Sequence, residues 1–393
     1  MIYSIALSGR FLTKKKEGNK MELIKFIKEN PDWETKLTTD PYNLKIRKKD
    51  QFVLFYYNQL SSDFTNEIVK ECRGVILDST DWTVARYAFK KFFNADEHNC
   101  DVKIDWASAV VSEKIDGSLV SAWWDKYQRK WRWATSKTFD AVDTPLPADV
   151  NCPFKNYQEL INYAMRQQGY KEQNFCRSFT YNFELVSPYT RVVIEYPKPQ
   201  LYFLCSVKKA DLTELPSWAY PSDVLKPEVK KLSSYEECER AARELPWDEE
   251  GYVVRDKFGH RVKIKSPEYI KAHYLRNNNV ITQRRLIEVI LANEADEFLT
   301  YCPDYEEAVH KITWAMTNVG LKCESGLSCM NVLSKNQWRD WTGEQIQILM
   351  NKIPICKLPY IQNYIWLNWK NPDLLPVDYI KNFTAGQWDR ILK

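Results

Sequence analysis

No apolar run in this 393-residue sequence approaches the roughly 18 residues needed to cross a bilayer, so no membrane-spanning helix is expected. The ten cysteines, scattered from Cys72 to Cys356, include no CxxC pair, and Cys323 and Cys329 have no histidine close by. That spacing predicts reduced, mostly buried thiols rather than a structural zinc. No GxxxxGK[ST] loop is present, so the phosphate-cradling motif of a kinase is missing. Charge of one sign is scarce too: 56 Lys and Arg against 52 Asp and Glu leave +4, too little for a uniformly basic nucleic-acid coat. Internal repeats and low-complexity tracts are also lacking.

What the chain does have is apolar and aromatic mass. Hydrophobic residues make up 44% and aromatics 14%, with 15 Trp and 23 Tyr, the composition of a folded globular protein. The length is too great for one ordinary core and suits two domains. Charge is unevenly spread: residues 276–393 hold thirteen Lys and Arg and thirteen Asp and Glu, so the positive surplus lies upstream. A phosphate-binding surface must therefore be local, most simply a cleft. The opening "MIYSIALSGRFLTKKK" places its basic cluster after its apolar stretch and lacks a small-residue cleavage pattern, so a cytoplasmic chain is expected. The run "KKKEGNK" (14–20) reads as a solvated face.

From Gln51 to about Lys265 the chain reads as strands. "QFVLFYY", "CRGVILD", "ASAVVSE", "LVSAWW", "KWRWATS", "YNFELVS", "RVVIEY", "LYFLCSV", "GYVVRD" and "RVKIKS" are short runs of β-branched and aromatic residues between Asp, Asn, Gly or Pro. "DKYQRK" fits a hairpin turn, while "NYQELINYAMRQQG" and "SSYEECERAAREL" carry helical spacing and caps. After about Tyr269, "VITQRRLIEVILANEADEFLTYC" and "YEEAVHKITWAMTNVG" are helical, and Pro354, Pro359, Pro372 and Pro376 break the tail into short segments. The expected architecture is an α+β body over 1–270 followed by an all-helical C-terminal domain over 271–393.

One stretch stands out chemically. "VSEKIDGSLV" sets Lys114, Asp116 and Gly117 at the end of an apolar strand. A lysine amine is a nucleophile only when neutral, and an isolated one has a pKa of about 10.4. Partial burial and neighbouring cations can lower that value, and a glycine turn lets a ligand close in. An exposed hairpin lysine beside an Asp-Gly turn would show the same letters. Company decides between them: "ECRGVIL" (71–77), "KFFN" (91–94), "KIDGSL" (114–119), "TSKTF" (135–139), "NFELVSPYTRVVIEY" (182–196), "EEGYVV" (249–254) and "VKIKS" (262–266) follow in order.

Together these segments resemble the covalent nucleotidyltransferases, and most closely the ATP-dependent RNA ligases of the T-even bacteriophage type, the RNA ligase 1 family. The resemblance spans about residues 50–270 and implies an adenylyltransferase domain, ATP-grasp-like, of antiparallel sheets with flanking helices. It implies that Lys114 attacks the α-phosphate of ATP to form lysyl-AMP, that AMP passes to an RNA 5′-phosphate, and that an RNA 3′-hydroxyl then displaces it. Lys263 and Lys265, alternating on a strand, are implied at the α-phosphate, and their repulsion is expected to help keep Lys114 neutral. Glu184 and Glu250 are implied to contact ribose or to hold, through water, a magnesium ion for which manganese can substitute. Arg73 and Lys91 match positions that grip the β- and γ-phosphates. Phe93, Asp116, Gly117, Lys137 and Gly251 complete the implied ATP-binding set; a Phe between apolar neighbours is ordinarily core.

The sequence departs from the family at Ile115, where Glu is common. The implied partner is RNA with 5′-phosphate and 3′-hydroxyl ends, cleaved tRNA among the candidates, with end healing left to a separate polynucleotide kinase and phosphatase. In the family a helical C-terminal domain favours broken tRNA; this tail has the size but no motif that carries the preference over. Trp314, Trp338, Trp341, Trp366, Trp369 and Trp388 are expected mostly as core. Two alternatives stay open: a GTP-dependent mRNA capping guanylyltransferase, and a catalytically inactive RNA-binding relative. A DNA ligase fits less well, because those usually continue into a β-barrel.

Overall fold

The computed structural model describes residues 21–392 apart from 60, 96–99, 101, 147–151, 220–223, 275–280, 292–293, 336, 373 and 381. The opening stretch and the charge run at 14–20 lie outside the described residues. The chain divides into two compact units, Met1–Arg276 and Asn277–Lys393.

Thirteen strands occupy the described part of the first unit: β1 (Lys45–Lys49), β2 (Phe52–Tyr56), β3 (Arg73–Asp78), β4 (Val84–Arg86), β5 (Val110–Glu113), β6 (Ser118–Asp125), β7 (Lys130–Ala134), β8 (Phe179–Val186), β9 (Gln200–Lys208), β10 (Glu214–Pro216), β11 (Val229–Lys230), β12 (Gly251–Arg255) and β13 (Arg261–Lys265). They form three antiparallel sheets ordered β1-β2-β3-β4, β10-β9-β8-β6-β7 and β11-β5-β12-β13. Six helices flank them: α1 (Glu22–Glu29), α2 (Trp33–Thr38), α3 (Glu67–Glu71), α4 (Tyr157–Gln168), α5 (Tyr235–Arg243) and α6 (Pro267–Tyr274).

Alternation in β2 explains how the first sheet is sandwiched. Val53 and Phe55 turn toward α1, α2 and α3, meeting Leu23, Ile27, Leu37 and Val69. Phe52 and Leu54 turn the other way, beside Ile76 of β3 and onto Trp123, Ala134 and Phe139 of the neighbouring sheet and the segment after it. The hairpin expected at "DKYQRK" joins β6 to β7, with the Asp125 carboxylate accepting the Tyr127 and Gln128 amides at 2.9 and 3.0 Å. Helix α4 starts on the Asn156 side chain, which accepts the Glu159 amide, and stops at left-handed Gly169, as its sequence predicts. It covers the second sheet with Leu160, Ile161 and Ala164, while α5 covers the third with Cys238 and Ala242.

Two expectations differ from the fold. "RVVIEY" is not a strand but an irregular bend, because the amides of Val193 and Ile194 are both taken by the Asp116 carboxylate and are lost to any ladder. Strand β1, "KIRKK", escapes sequence reading because four of its five side chains are cationic.

The second unit carries seven helices among its described residues: α7 (Gln283–Leu291), α8 (Ala295–Tyr301), α9 (Glu306–Leu333), α10 (Gly343–Lys352), α11 (Pro359–Lys370), α12 (Pro376–Ile380) and α13 (Ala385–Leu392). Helix α9 continues past Gly320, the last residue of the stretch read as helical. Gly326 is where α11 comes close, since a methyl there would lie 2.7 Å from the Ile361 side chain. Trp338 and Trp388 are buried, whereas Trp314 is exposed. No described helix is long and apolar enough to cross a membrane.

Candidate active site

Strand β5 ends at Glu113, and only Lys114, Ile115, Asp116 and Gly117 carry the chain from the third sheet to β6 of the second. The crossover is pinned at three points. Lys114 donates its amide to the Gly251 carbonyl at 2.8 Å. The buried Asp116 carboxylate accepts the Val193 and Ile194 amides at 2.8 Å each and the Tyr269 hydroxyl, from α6, at 2.9 Å. Gly117 lies so close to β8 that a methyl would sit 2.5 Å from the Leu185 carbonyl and 3.0 Å from Glu184 Cγ. Ile115, the departure from the family, is buried in the core. Asp116 thus fastens the loop, with both oxygens engaged by the chain itself.

The lysine amine emerges between carboxylates from two sheets. Glu250, immediately before β12, places Oε1 2.6 Å from Lys114 Nζ; the two side chains are 6% and 20% exposed. The amine is therefore ion-paired, where the sequence suggested an amine surrounded by cations. Glu250 Oε2 is buried with no hydrogen-bond partner among the described residues, an orphan that only an outside donor or cation can satisfy. Glu184 projects from β8. Burial pushes its carboxyl up to about 7, although part of the residue's surface stays open; Lys114 and Arg73 oppose the rise while Glu250 and Asp116 add to it. No group of three or more His, Cys, Asp or Glu residues forms a metal cage among the described residues. Two carboxylates with an unsatisfied oxygen do fit a hydrated hard cation, which keeps several waters and needs few protein ligands.

This carboxyl gives a signed prediction. Below about pH 4.3 Glu184 is protonated folded or unfolded; between there and about 7 only the folded chain keeps the proton; above 7 it is buried as an anion at full cost. Glu184→Gln removes that cost. In metal-free buffer its Tm advantage over the parent should be absent at pH 4 and grow up to neutrality, to on the order of 5 °C. A difference that stays flat with pH would show that the carboxyl is not desolvated.

On β13, Val262 and Ile264 enter the core, so Lys263 and Lys265 share the other face, opposite Val253 and Gly251 of β12. The 91–94 segment lies beside this strand: Lys263 donates its amide to the Phe93 carbonyl and accepts the Ala95 amide, both at 2.9 Å. The Lys91 amine stands 5.5 to 5.6 Å from the rings of Tyr57, Phe64 and Phe93, and Phe93 is buried core as well as one wall of that cage. Arg73 stacks over Phe89 and Phe92 at 4.9 and 5.6 Å. Next to it, Gly74 is left-handed, and a methyl there would sit 2.6 Å from the Ser136 carbonyl, so Arg73 and the segment carrying Lys137 are neighbours. Lys137 itself is exposed.

Two contributors escaped sequence reading. Arg86, fully buried, ties the Gly74 and Thr135 carbonyls and the Ser121 hydroxyl together at 2.5, 3.1 and 2.9 Å. Tyr269 locks Asp116. Their partners are distant in the chain, and no local pattern announces such bonds.

Comparison with known proteins supplies the relationship. A protein of Autographa californica nuclear polyhedrosis virus, whose name joins polynucleotide kinase and RNA ligase, is 27% identical over 69% of this chain and 40% of its own length. The chain therefore spans less than half of that relative. An RNA ligase of Rhodothermus phage RM378 is 25% identical over 71% of this chain and 76% of the phage protein. Among solved structures, an archaeal ATP-dependent RNA ligase aligns over 75% of this chain and 82% of its own, at 14% identity and a TM-score of 0.43, a likeness too slight to bear on the site. The RNA ligase family profile matches residues 71–269. That match takes in Arg73, Lys114, both carboxylates and the two strand lysines, and by it the chain belongs to the RNA ligase family of the T4 type.

Proposed function

We propose that this protein is an ATP-dependent RNA ligase that joins 3′-hydroxyl to 5′-phosphate ends through lysyl-AMP. The observation that carries the reading is the Lys114 amine on its pinned crossover, with Glu250 at 2.6 Å, an orphaned Glu250 oxygen, and Glu184 near enough to feel the charges of Lys114 and Arg73.

The reaction begins when the Lys114 ammonium gives its proton to the Glu250 carboxylate and the neutral amine leaves the pair. Lys114 nitrogen then forms a bond to the α-phosphorus of ATP as the bond to the β-phosphate oxygen breaks and pyrophosphate leaves. In the second step an RNA 5′-phosphate oxygen takes the adenylate and the P–N bond breaks, restoring the lysine. In the third, a 3′-hydroxyl attacks the activated 5′-phosphorus, AMP departs and a phosphodiester remains. Each is an in-line displacement in which charge grows on phosphate oxygens, so positioning and cations do most of the catalysis. Lys263, Lys265, Arg73 and Lys91 are the cations for that task, and Glu184 and Glu250 the residues to hold the waters of magnesium or manganese. Bound there, the metal would add positive charge against the phosphates.

The helical unit is proposed to select the RNA, broken tRNA being the substrate its family suggests. The baculovirus relative's name includes a kinase, yet these 393 residues hold no GxxxxGK[ST] loop, so end healing falls outside them. Incubation with α-labelled ATP or GTP, followed by a 5′-phosphorylated RNA, tests the reading. Label should be retained from ATP alone and a sealed product should form. Retention from GTP would move the protein to capping chemistry, and RNA binding without any labelling would make it an inactive relative.

A further inference from the structure

Strand β1 puts Lys45, Arg47, Lys48 and Lys49 at an edge of the first sheet among the described residues. Side chains alternate along a strand, so Lys45, Arg47 and Lys49 share one face. Lys48, on the other, pairs with Glu34 at 2.5 Å and lies over Trp33. Lys49 pairs with Asp143 at 3.6 Å. Arg47 is exposed, sits 5.6 Å over the Tyr56 ring, and has no carboxylate within ion-pair distance among the described residues.

Two paths link this face to the site. Across the strands, Lys45 stands opposite Tyr56, and Tyr56 opposite Arg73 across a bulge, so the three backbones lie in a row while the Arg73 side chain turns to Phe89 and Phe92. Along the surface, Arg47 holds the Lys137 carbonyl, and the adjoining Ser136 meets Gly74, next to Arg73. With strands about 4.8 Å apart, the row from Arg73 to Lys45 extends roughly 10 Å away from the site. That reaches beyond the phosphates Arg73 is proposed to hold, in the direction a longer polyanion would take. Cations beside a half-buried aromatic ring suit a single strand: phosphates meet the cations and a base packs against the exposed part of the ring and its guanidinium.

We infer that this edge, with Lys45, Arg47 and Tyr56 at its centre, is where single-stranded RNA lies as its end enters the site. The inference rests on the ligase reading and adds a substrate-binding surface to it. Arg47→Gln is the test, because glutamine can still donate to the Lys137 carbonyl but carries no charge. RNA affinity should fall about three- to tenfold at 0.1 M salt, equally for two unrelated sequences, and the slope of log K against log salt should shrink by about 0.7. Labelling from ATP should proceed at the parent rate, and Arg47→Lys should restore the slope.

The inference is overturned if a Lys45→Gln/Arg47→Gln double variant keeps the parental affinity and slope, as a protein-docking edge would. It is equally overturned if affinity falls with an unchanged slope, or if labelling falls in step with RNA binding, since Arg47 would then only brace Lys137. A parent protein that never takes label would sink the ligase reading instead, and its RNA slope can be read all the same.

Discussion

Lys114→Ala should leave the protein unable to take up AMP: after incubation with ATP and magnesium its intact mass stays unchanged, while the parent gains one adenylate on Lys114. Loss of a nucleophile removes the whole covalent path, so the rate should drop by several orders of magnitude rather than a fewfold. The alanine variant also strands Glu250, whose Oε1 loses its partner at 2.6 Å while Oε2 already has none among the described residues. A modest fall in Tm is therefore expected beside an unchanged circular dichroism spectrum. Lys114→Arg separates the two effects, since a guanidinium can keep the ion pair but is not a nucleophile at these pH values. It should melt near the parent temperature and still take no label. Adenylate found on either variant would reassign the nucleophile.

Gly251→Ala should be the most damaging small substitution near the site. Gly251 has a φ of +132°, which side-chain-bearing residues rarely adopt, and an added methyl would overlap the Ile264 carbonyl and lie 2.7 Å from Lys265 Cα. Both atoms are backbone of the adjacent strand, so relief means pushing β12 from β13. We expect a cost of at least about 3 kcal/mol. Labelling should be lost even where the protein stays folded, because the Gly251 carbonyl receives the Lys114 amide and the strand beyond it carries both lysines. Gly259→Ala is the control: its φ is +87°, yet its nearest neighbour, the end of the Arg255 side chain, is 3.9 Å away. It should cost about 1 kcal/mol and leave labelling intact. Equal melting temperatures for the two variants would show that the close approach at Gly251 is not a constraint.

Much of this site can be read from residues that are close in sequence. Alternation predicted that Lys263 and Lys265 share a face, and the core positions of Val262 and Ile264 make it so. The strands of the body, the hairpin at 125–130 and the caps of α4 follow from periodicity and turn residues, because each depends on neighbours a few positions away. Failures cluster where a side chain reaches far along the chain. Asp116 bonds amides 77 and 78 residues on, which turns "RVVIEY" from an apparent strand into a bend. The Lys114–Glu250 pair joins positions 136 residues apart, one just past β5 and the other just before β12, so the sequence showed a lysine with cationic company and not the carboxylate it meets. Arg86 reads as an ordinary strand-end cation, yet it is buried and engaged by two carbonyls and a hydroxyl of three segments.

The four-residue passage from β5 to β6 has an effect beyond holding one amine. It ties the spacing of two sheets to the one amine proposed to react, so neither wall can be repacked on its own: a bulkier side chain behind one sheet shifts the lysine relative to the carboxylate on the other. Changes that improve the hydrophobic interior would then be tolerated only in matched pairs, which makes the substrate-binding rim, rather than the floor of the cleft, the place where this scaffold can vary.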